Sequence, residues 1–465
     1  MQKKIITVAM IAILLLSMVT VLTTTTRAAT EQEIEDAITK GVAYLAGQQN
    51  PDGSWGPSDD IKTAYTGLVL MKLQMYAYEL NYTSPFDPSY PYSSNVTAGW
   101  SFIFSTDGTG NPLYAVNQTL SLQDHTGGAS GTIDDPDTNG NGYGIYFAGS
   151  GGPVPVYTTG ICLMALQASG TPNRANDGGI DYDSDGFADT FKQIAQDAAD
   201  WLAWAQGDLG NDEGGYDYGP LNNAGGWTDN SNAGYAYLGL AAAEDFGCTV
   251  PAWVRTELNA WITTIQDPVN GDADDGGSYY NPDWLPWNPW CNELKAGNLI
   301  FEMTFYGDDS TVQRFNDTMD YIKRHWNDTN TDPGWKGDWG IDDDGDGLID
   351  EDPRDGFDND GDCMIDEDEI DGLDNDGDGL IDEDPSWDWI DNDGDNLWDE
   401  DPGISNYQAM FCLMKGFIYS GINLTDFDCD GIPEHDWNAE FDTYLVNQQR
   451  KDGSWWSALY GDAII

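Results

Sequence analysis

The sequence predicts an all-α protein in which one pair of helices is repeated about six times. Residues 42–56 read VAYLAGQQNPDGSWG and residues 442–456 read DTYLVNQQRKDGSWW, so an aromatic-Leu pair, a Gln-Gln pair and an Asp-Gly-Ser-Trp turn recur at matching spacing. An apolar stretch with its own shared sequence follows at residues 66–73 and recurs at 159–166 and 408–415. A helical pair of this kind cannot bury both faces alone, so neighbouring pairs must stack.

Degenerate copies fill the interval between the first and last repeats. They begin near Asp200, Ala260 and Asp320, each followed by a Gly-rich turn with an aromatic residue, and a weaker copy begins near Gly99. The first helix of each pair is amphipathic, whereas the second is apolar on nearly all sides, as a buried helix should be. We call the first helix of each pair outer and the second inner.

The repeat resembles that of the squalene cyclase and protein prenyltransferase superfamily, in its Gln-Gln-x-x-Asp-Gly-Ser-Trp-Gly pattern. The pattern covers most of the chain, although only the first and last copies are close. The resemblance implies an (α/α)6 toroid of about six helical hairpins and indicates a fold rather than an activity. The sixth copy reaches Ile465 where its inner helix should begin, which favours a truncated version of a longer protein over imperfect closure of the ring.

The N-terminus is typical of an export signal. Lys3 and Lys4 precede an apolar run at residues 5–22, and small residues near Ala28 and Ala29 permit cleavage. An uncleaved membrane anchor is the alternative. We therefore expect a secreted or cell-surface protein with a signal peptide at 1–29, helical repeats at 30–340, an Asp-rich insertion at 341–402 and the continued repeats at 403–465.

The charge balance excludes several classes of partner. The chain has 81 Asp and Glu against 18 Lys and Arg, a net charge of −63, which disfavours nucleic acid and anionic membrane surfaces. We expect no membrane insertion after signal cleavage. The 19 Trp and 24 Tyr argue for folded cores or ligand surfaces rather than for a disordered chain.

The insertion at 341–402 predicts calcium binding. Four units read Asp-x-Asp-Gly-Asp with an acid four residues after the third Asp, and alternating oxygen ligands around a glycine turn suit calcium. The twelfth position is Pro353, Glu369, Pro385 or Pro402, which disfavours EF-hands, and the units look more like thrombospondin type 3 repeats. A solvated acidic linker is the alternative. The predicted ligands are Asp342, Asp344, Asp346, Asp350, Asp358, Asp360, Asp362, Asp366, Asp374, Asp376, Asp378, Asp382, Asp391, Asp393, Asp395 and Asp399.

Isolated copies of the calcium motif lie between the helices. One comprises Asp181, Asp183, Asp185 and Asp189, another comprises Asp426, Asp428, Asp430 and Glu434, and a weaker one comprises Asp135, Asp137 and Asn139. We expect several calcium ions to staple these connecting loops. Zinc is not expected, because the three histidines lack ligand spacing.

No complete catalytic motif is present in the sequence. Asp272, Asp274 and Asp275 match the Asp-x-Asp-Asp motif of terpene cyclases, but a Gly-Gly turn follows them, so chance or calcium binding is the better interpretation. The mouth of the ring, where inner helices begin, is predicted to gather Tyr65, Tyr157, Asp229, Tyr235, Trp290, Glu293 and Tyr407. Aromatic side chains with a few acids suit an extracellular glycan or peptide as ligand. The alternative is that these aromatic side chains simply fill the core.

These observations favour a calcium-binding toroid that acts as a binding or scaffold module. The first alternative is an extracellular polysaccharide lyase or hydrolase at the mouth, with Asp229 and Glu293 as weak candidates for general acid and base. The second alternative is an enzyme similar to terpene cyclases or prenyltransferases.

Overall fold

The computed structural model describes residues 28–58, 61–105, 114–124, 133–150, 154–221, 225–271, 274–282, 291–326, 335, 407–422, 436–447, 449, 453–457 and 461–463. These residues are mostly helical, in agreement with the predicted all-α class. The apolar run at 5–22 and the acidic insertion at 341–402 lie outside the described residues. None of the helices in the described ranges is both long and apolar enough to cross a bilayer.

Outer and inner helices alternate along the chain. The outer helices are α1 (Glu31–Gly47), α3 (Ser93–Ile103), α5 (Phe191–Ala205), α7 (Ala252–Ile265), α9 (Gln313–His325) and α11 (Trp437–Asn447). The inner helices are α2 (Lys62–Glu79), α4 (Pro155–Ala168), α6 (Asn230–Asp245), α8 (Glu293–Tyr306) and α10 (Tyr407–Ser420). The inner helices α4, α6 and α8 are buried on nearly all sides, whereas α2 and α10 keep partly exposed faces.

Short antiparallel strand pairs accompany the helices. They are β1 (Ala115–Thr119) with β4 (Tyr143–Phe147), β2 (Gln123–Asp124) with β3 (Ile133–Asp134), and β5 (Trp455–Ser457) with β6 (Gly461–Ala463). The all-α prediction does not include them. Strand β4 packs on α5, so this outer helix is buried where the others are half-exposed. The weak repeat near Gly99 lies within α3, which begins earlier, at Ser93.

The inner helices pack side by side in chain order: α2 on α4, α4 on α6, α6 on α8 and α8 on α10. Glycines occupy the tightest of these contacts. A Cβ atom on Gly160 of α4 would overlap the Tyr235 carbonyl of α6, and one on Gly297 of α8 would overlap the Leu413 backbone of α10. Backbones can therefore approach more closely than any larger residue would permit.

The turn after an outer helix packs against the next outer helix in a recurring way, which we call the turn contact. Gln49 Nε2 donates to the carbonyl of Gly53 at 2.9 Å and to that of Asn95 in α3 at 3.0 Å. Gly53, with φ +90°, lies so close to the Ala98 carbonyl that a Cβ atom would overlap it. The same two contacts recur at three other turns. The Gln side chain donates to a carbonyl of the next outer helix in the pairs Gln206–Val254, Gln266–Arg314 and Gln449–Ala37. The turn glycine lies close to a carbonyl of that helix in the pairs Gly214–Glu257, Gly276–Asp317 and Gly453–Lys40.

The last of these turn contacts joins the end of the chain to its beginning. Gln449 Nε2 lies 2.7 Å from the Ala37 carbonyl of α1, and the Trp455 ring lies against Gly41. Trp455 Nε1 also donates to the Leu445 carbonyl at 2.7 Å, as Trp55 Nε1 does to the Leu45 carbonyl. The last repeat therefore packs on the first helix as the first repeat packs on α3.

A substitution of Gly453 by Ala tests the contact between the last repeat and α1. We expect Gly453→Ala to lower the free energy of unfolding by about 1–2 kcal/mol for its backbone angle and about 1–3 kcal/mol more for the overlap with the Lys40 carbonyl. Gly271→Ala is the control, because Gly271 has φ +101° and open space around it. Equal losses in a denaturant titration of the two variants would contradict the contact.

Candidate functional site

The best-defined candidate site is the loop that connects α4 to α5, at residues 181–189. Asn176 holds the base of this loop, because its side chain donates to the carbonyls of Ile180 at 2.7 Å and Asp189 at 2.9 Å. Thr190 follows directly and forms a capping box with Gln193 at the start of α5. The loop is thus anchored at its base and at the helix that it enters.

Within the loop, carboxylates accept hydrogen bonds from backbone amides. Asp181 accepts from the amides of Asp185 at 3.1 Å and Gly186 at 2.9 Å, and Asp189 accepts from the Tyr182 amide at 2.8 Å. These bonds turn the acidic side chains inward. Gly186, with φ +91°, supplies the sharp turn that the motif predicts.

The loop brings three predicted ligands together. Oxygen atoms of Asp181, Asp183 and Asp189 all lie within 4.8 Å of one another. Two oxygens that each lie about 2.4 Å from one calcium ion can be at most about 4.8 Å apart, so the spacing is compatible with a shared ion. Asp185, the fourth predicted ligand, is not part of this group, and its Oδ1 accepts from the Phe187 amide at 2.8 Å.

The electrostatics of the loop also favour a cation. Burial raises the pKa of Asp189 to about 6, and repulsion from Asp183, Asp181 and Asp185 adds to the effect. A divalent cation among these groups would stabilise their ionised forms and reverse this shift.

A second acidic loop, at residues 135–142, packs against the same helix. Asp137 accepts from the amides of Gly140 at 2.8 Å and Gly142 at 2.6 Å, so the turn begins at Asp137 and not at Asp135 as the predicted motif has it. Asn141 Nδ2 donates to Asp197 of α5 at 3.0 Å, and Thr138 Oγ1 donates to Asp200 at 2.8 Å. Helix α5 therefore receives both acidic loops.

The acids of α5 are functional candidates that the sequence interpretation missed. Asp197 and Asp200 are almost fully buried, and burial raises their pKa values to about 7 and about 8. Hydrogen bonds from Asn139 and Thr138 respectively oppose this effect without cancelling it. The only signal in the sequence is that two acids fall on the apolar side of an amphipathic helix.

The predicted calcium ligands between Asp342 and Asp399, and those between Asp426 and Glu434, lie outside the described residues.

The predicted mouth is partly assembled, and most of the aromatic rings that line it are half-buried. Tyr157 and Tyr235 lie 6.4 Å apart between ring centroids, and Tyr235 stacks on Phe411 of α10 at 6.2 Å. Tyr65 packs beside Gly56 at the start of α2, and Tyr407 is the buried first residue of α10. Phe411 was not predicted, and Trp290 lies outside the described residues.

The two weak catalytic candidates serve as helix-terminal groups. Asp229 is the N-cap of α6 and accepts from the Asn232 amide at 2.8 Å and from Asn232 Nδ2 at 2.7 Å. Glu293 is the first residue of α8, and its Oε2 accepts from the Trp335 amide at 2.9 Å. Both side chains are almost fully buried, so a substrate would have to displace existing contacts to reach them.

The Asp-x-Asp-Asp match lies in the turn between α7 and α8. Asp275 Oδ1 accepts from the Asn270 amide at 2.7 Å, and the Asp275 carbonyl accepts from Arg324 of the outer helix α9 at 2.6 Å. Asp272 is outside the described residues. The described part of the motif therefore stabilises its own turn on the side of an outer helix.

Neither a model of a known protein family nor a curated protein matches the chain.

The buried acids of α5 predict a pH dependence in calcium-free protein. Their pKa values are raised from 3.8 to about 7 and about 8, so the folded state retains protons that the unfolded state loses. Stability should therefore fall as pH rises from about 4 to about 8, by at most about 1.4 kcal/mol per pH unit for each group. Asp200→Asn should flatten a melting curve series between pH 5 and pH 8, whereas Asp36→Asn, on the exposed face of α1, should not. The same slope in both variants would contradict the assignment.

Proposed function

We propose that the protein is an exported α/α toroid whose connecting loops are stapled by calcium, and that it acts as a binding or scaffold module. The single observation that carries the calcium part is the convergence of Asp181, Asp183 and Asp189 within 4.8 Å in a loop anchored at both ends. An exported location follows from the N-terminal signal pattern and suits a protein that needs a calcium-rich medium.

The toroidal arrangement is supported by the turn contact. It joins the turns that follow α1, α5 and α7 to the next outer helix, and its last copy joins residues 449–455 to α1. A stack of helical pairs whose last member packs on its first in the same way as its neighbours do is what a closed ring requires. The inner helices, packed in chain order, would line the centre of that ring.

A binding or scaffold role is supported by the state of the mouth. The aromatic rings of Tyr157, Tyr235 and Phe411 pack on one another, and Asp229 and Glu293 are occupied by hydrogen bonds at helix N-termini. A hydrolytic site would instead need two accessible carboxyl groups on either side of a bond. The three rings are half-buried and so remain partly accessible to a binding partner, whereas both acids are already engaged.

Calcium binding can be tested in the described loop separately from the acidic insertion. We expect the double variant Asp181→Asn/Asp183→Asn to bind one calcium ion fewer in isothermal titration calorimetry. The reason is that two charged carboxylate ligands of the loop are replaced by neutral amides. Chelation should lower the melting temperature of the native protein, since an ion at 100 times its Kd contributes about 2.7 kcal/mol. Magnesium should restore less, because it requires a tighter octahedral shell.

The control for this experiment is Asp36→Asn, which makes the same kind of substitution at one exposed aspartate of α1. It should bind as many calcium ions as the native protein. A double variant with unchanged stoichiometry would show that the loop at 181–189 holds no ion.

The scaffold role can be tested against the enzymatic alternative with Asp229→Asn. Asparagine retains the helix cap, and Asn232 can turn its amide to accept from the new side chain, because its Oδ1 has no hydrogen-bond partner among the described residues. We expect unchanged stability for this variant, a loss of about 1 kcal/mol for Asp229→Ala, and no release of new chain ends from a polysaccharide panel by the calcium-loaded native protein. Release that disappears in Asp229→Asn at unchanged stability would establish an enzyme instead.

A further inference from the structure

A cavity of about 440 Å³ lies at the end of the inner helices opposite to the mouth. Its walls come from the last turns of α2, α4 and α10 and from the second half of α6, with Tyr78, Ala168, Ala242 and Tyr419 among the lining residues. The volume falls in the range of about 300–1,000 Å³ that is typical of small-molecule sites. This cavity is separate from the acidic loops and from the aromatic rings of the mouth.

Most of the cavity wall is apolar and adaptable. Met71, Met75 and Met164 contribute flexible thioether side chains, and Leu238 adds a branched aliphatic one. Met75 is 43% exposed, although it projects from an inner helix. Unbranched methionine side chains can fit apolar chains of varied shape, so the wall is suited to a flexible hydrocarbon rather than to a rigid polar ligand.

One cation, Lys415 of α10, lines this apolar space. Its Nζ lies 5.4 Å from the centre of the Phe411 ring, and burial lowers the pKa of its ammonium group. Among the described residues, no carboxylate forms an ion pair with Lys415. The acid in the cavity wall, Glu79, is paired with Lys72 at 3.7 Å.

Lys415 is half-buried, so its ammonium group loses part of its hydration to apolar surroundings without a counter-ion, which costs free energy. The cost is unexpected in a chain with 81 acidic and 18 basic residues, where a carboxylate partner would be easy to supply. A bound anion would compensate the charge. Because the described residues of the wall offer one cation and one carboxylate that is already paired, a ligand with a single negative charge fits better than a diphosphate would.

We propose that this cavity binds a single-chain amphiphile with a carboxylate head group, with the carboxylate at Lys415 and the hydrocarbon chain along Met71, Met75 and Met164. This goes beyond the scaffold role proposed above and does not depend on calcium at the acidic loops. The aromatic face of Phe411 would hold the lysine side chain in place while its ammonium group meets the ligand.

Isothermal titration of the calcium-loaded full chain with dodecanoate tests this site, with dodecanol as a neutral probe of equal chain length. We expect dodecanoate to bind at a ratio of one to one and dodecanol to bind at least tenfold more weakly. Lys415→Met should weaken dodecanoate binding by tenfold or more without lowering the melting temperature, since it removes a half-buried charge and keeps an unbranched apolar side chain. Lys415→Arg should retain most of the affinity.

Lys323→Met is the matched control, because Lys323 lies on the outer helix α9 and pairs with Asp320. It should leave dodecanoate binding unchanged. Ala242→Phe, which fills the cavity from α6, should abolish binding of both probes. Absence of dodecanoate binding to the native protein, or equal affinity in Lys415→Met, would overturn the proposal, because the second result would mean unspecific apolar binding.

Discussion

The close contact between a turn glycine and the carbonyl of the next outer helix is the constraint on which the rest of the fold depends. At Gly53, Gly214, Gly276 and Gly453 a side chain would overlap the neighbouring backbone, so each turn can approach its neighbour only with glycine at that place. The Gln side chain that precedes each turn then donates a hydrogen bond to another carbonyl of that neighbouring outer helix, three residues before the one that the glycine approaches. The pairs that share this contact are thereby held at one spacing, and the inner helices pack on one another in chain order.

Among the described residues, two acidic loops lie outside the repeated turns and helices. The acidic loops at 135–142 and 181–189 both lie against α5, whose buried Asp197 and Asp200 take up side-chain and backbone donors from the first loop. Raised pKa values at Asp189, Asp197 and Asp200 are the cost of gathering these acids in low-dielectric surroundings. A cation held among the acids of the loop at 181–189, as proposed above, would lower this cost.

The sequence predicts the repeated parts of this structure and leaves the unrepeated parts open. Gly53, Trp55 and their counterparts at the chain end were recognisable because the same turn occurs twice with the same spacing. The strand pair β1–β4 was not, since its residues follow no repeat and pair only through tertiary contacts. Nor does the sequence show that Asp197 and Asp200 meet the loop at 135–142, because the helix pattern gives their side but not their partner.

Lys72 and Lys415 show why a repeat position does not define an environment. Both lysines directly follow a Leu-Met pair in an inner helix. Lys72 nevertheless pairs with Glu79, whereas Lys415 lines an apolar cavity. The core treats an acid differently: Glu302 of α8 is fully buried, and burial raises its pKa well above 4.5, so it can be neutral and needs no counter-ion. A lysine starts from a pKa of about 10.4 and needs a somewhat larger change than a glutamate, which starts from about 4.3, to be neutral at pH 7. An anion beside Lys415 would therefore stabilise its charged form, whereas neutral Glu302 needs no cation. The cavity beside Lys415 is large enough to hold such an anion as part of a ligand.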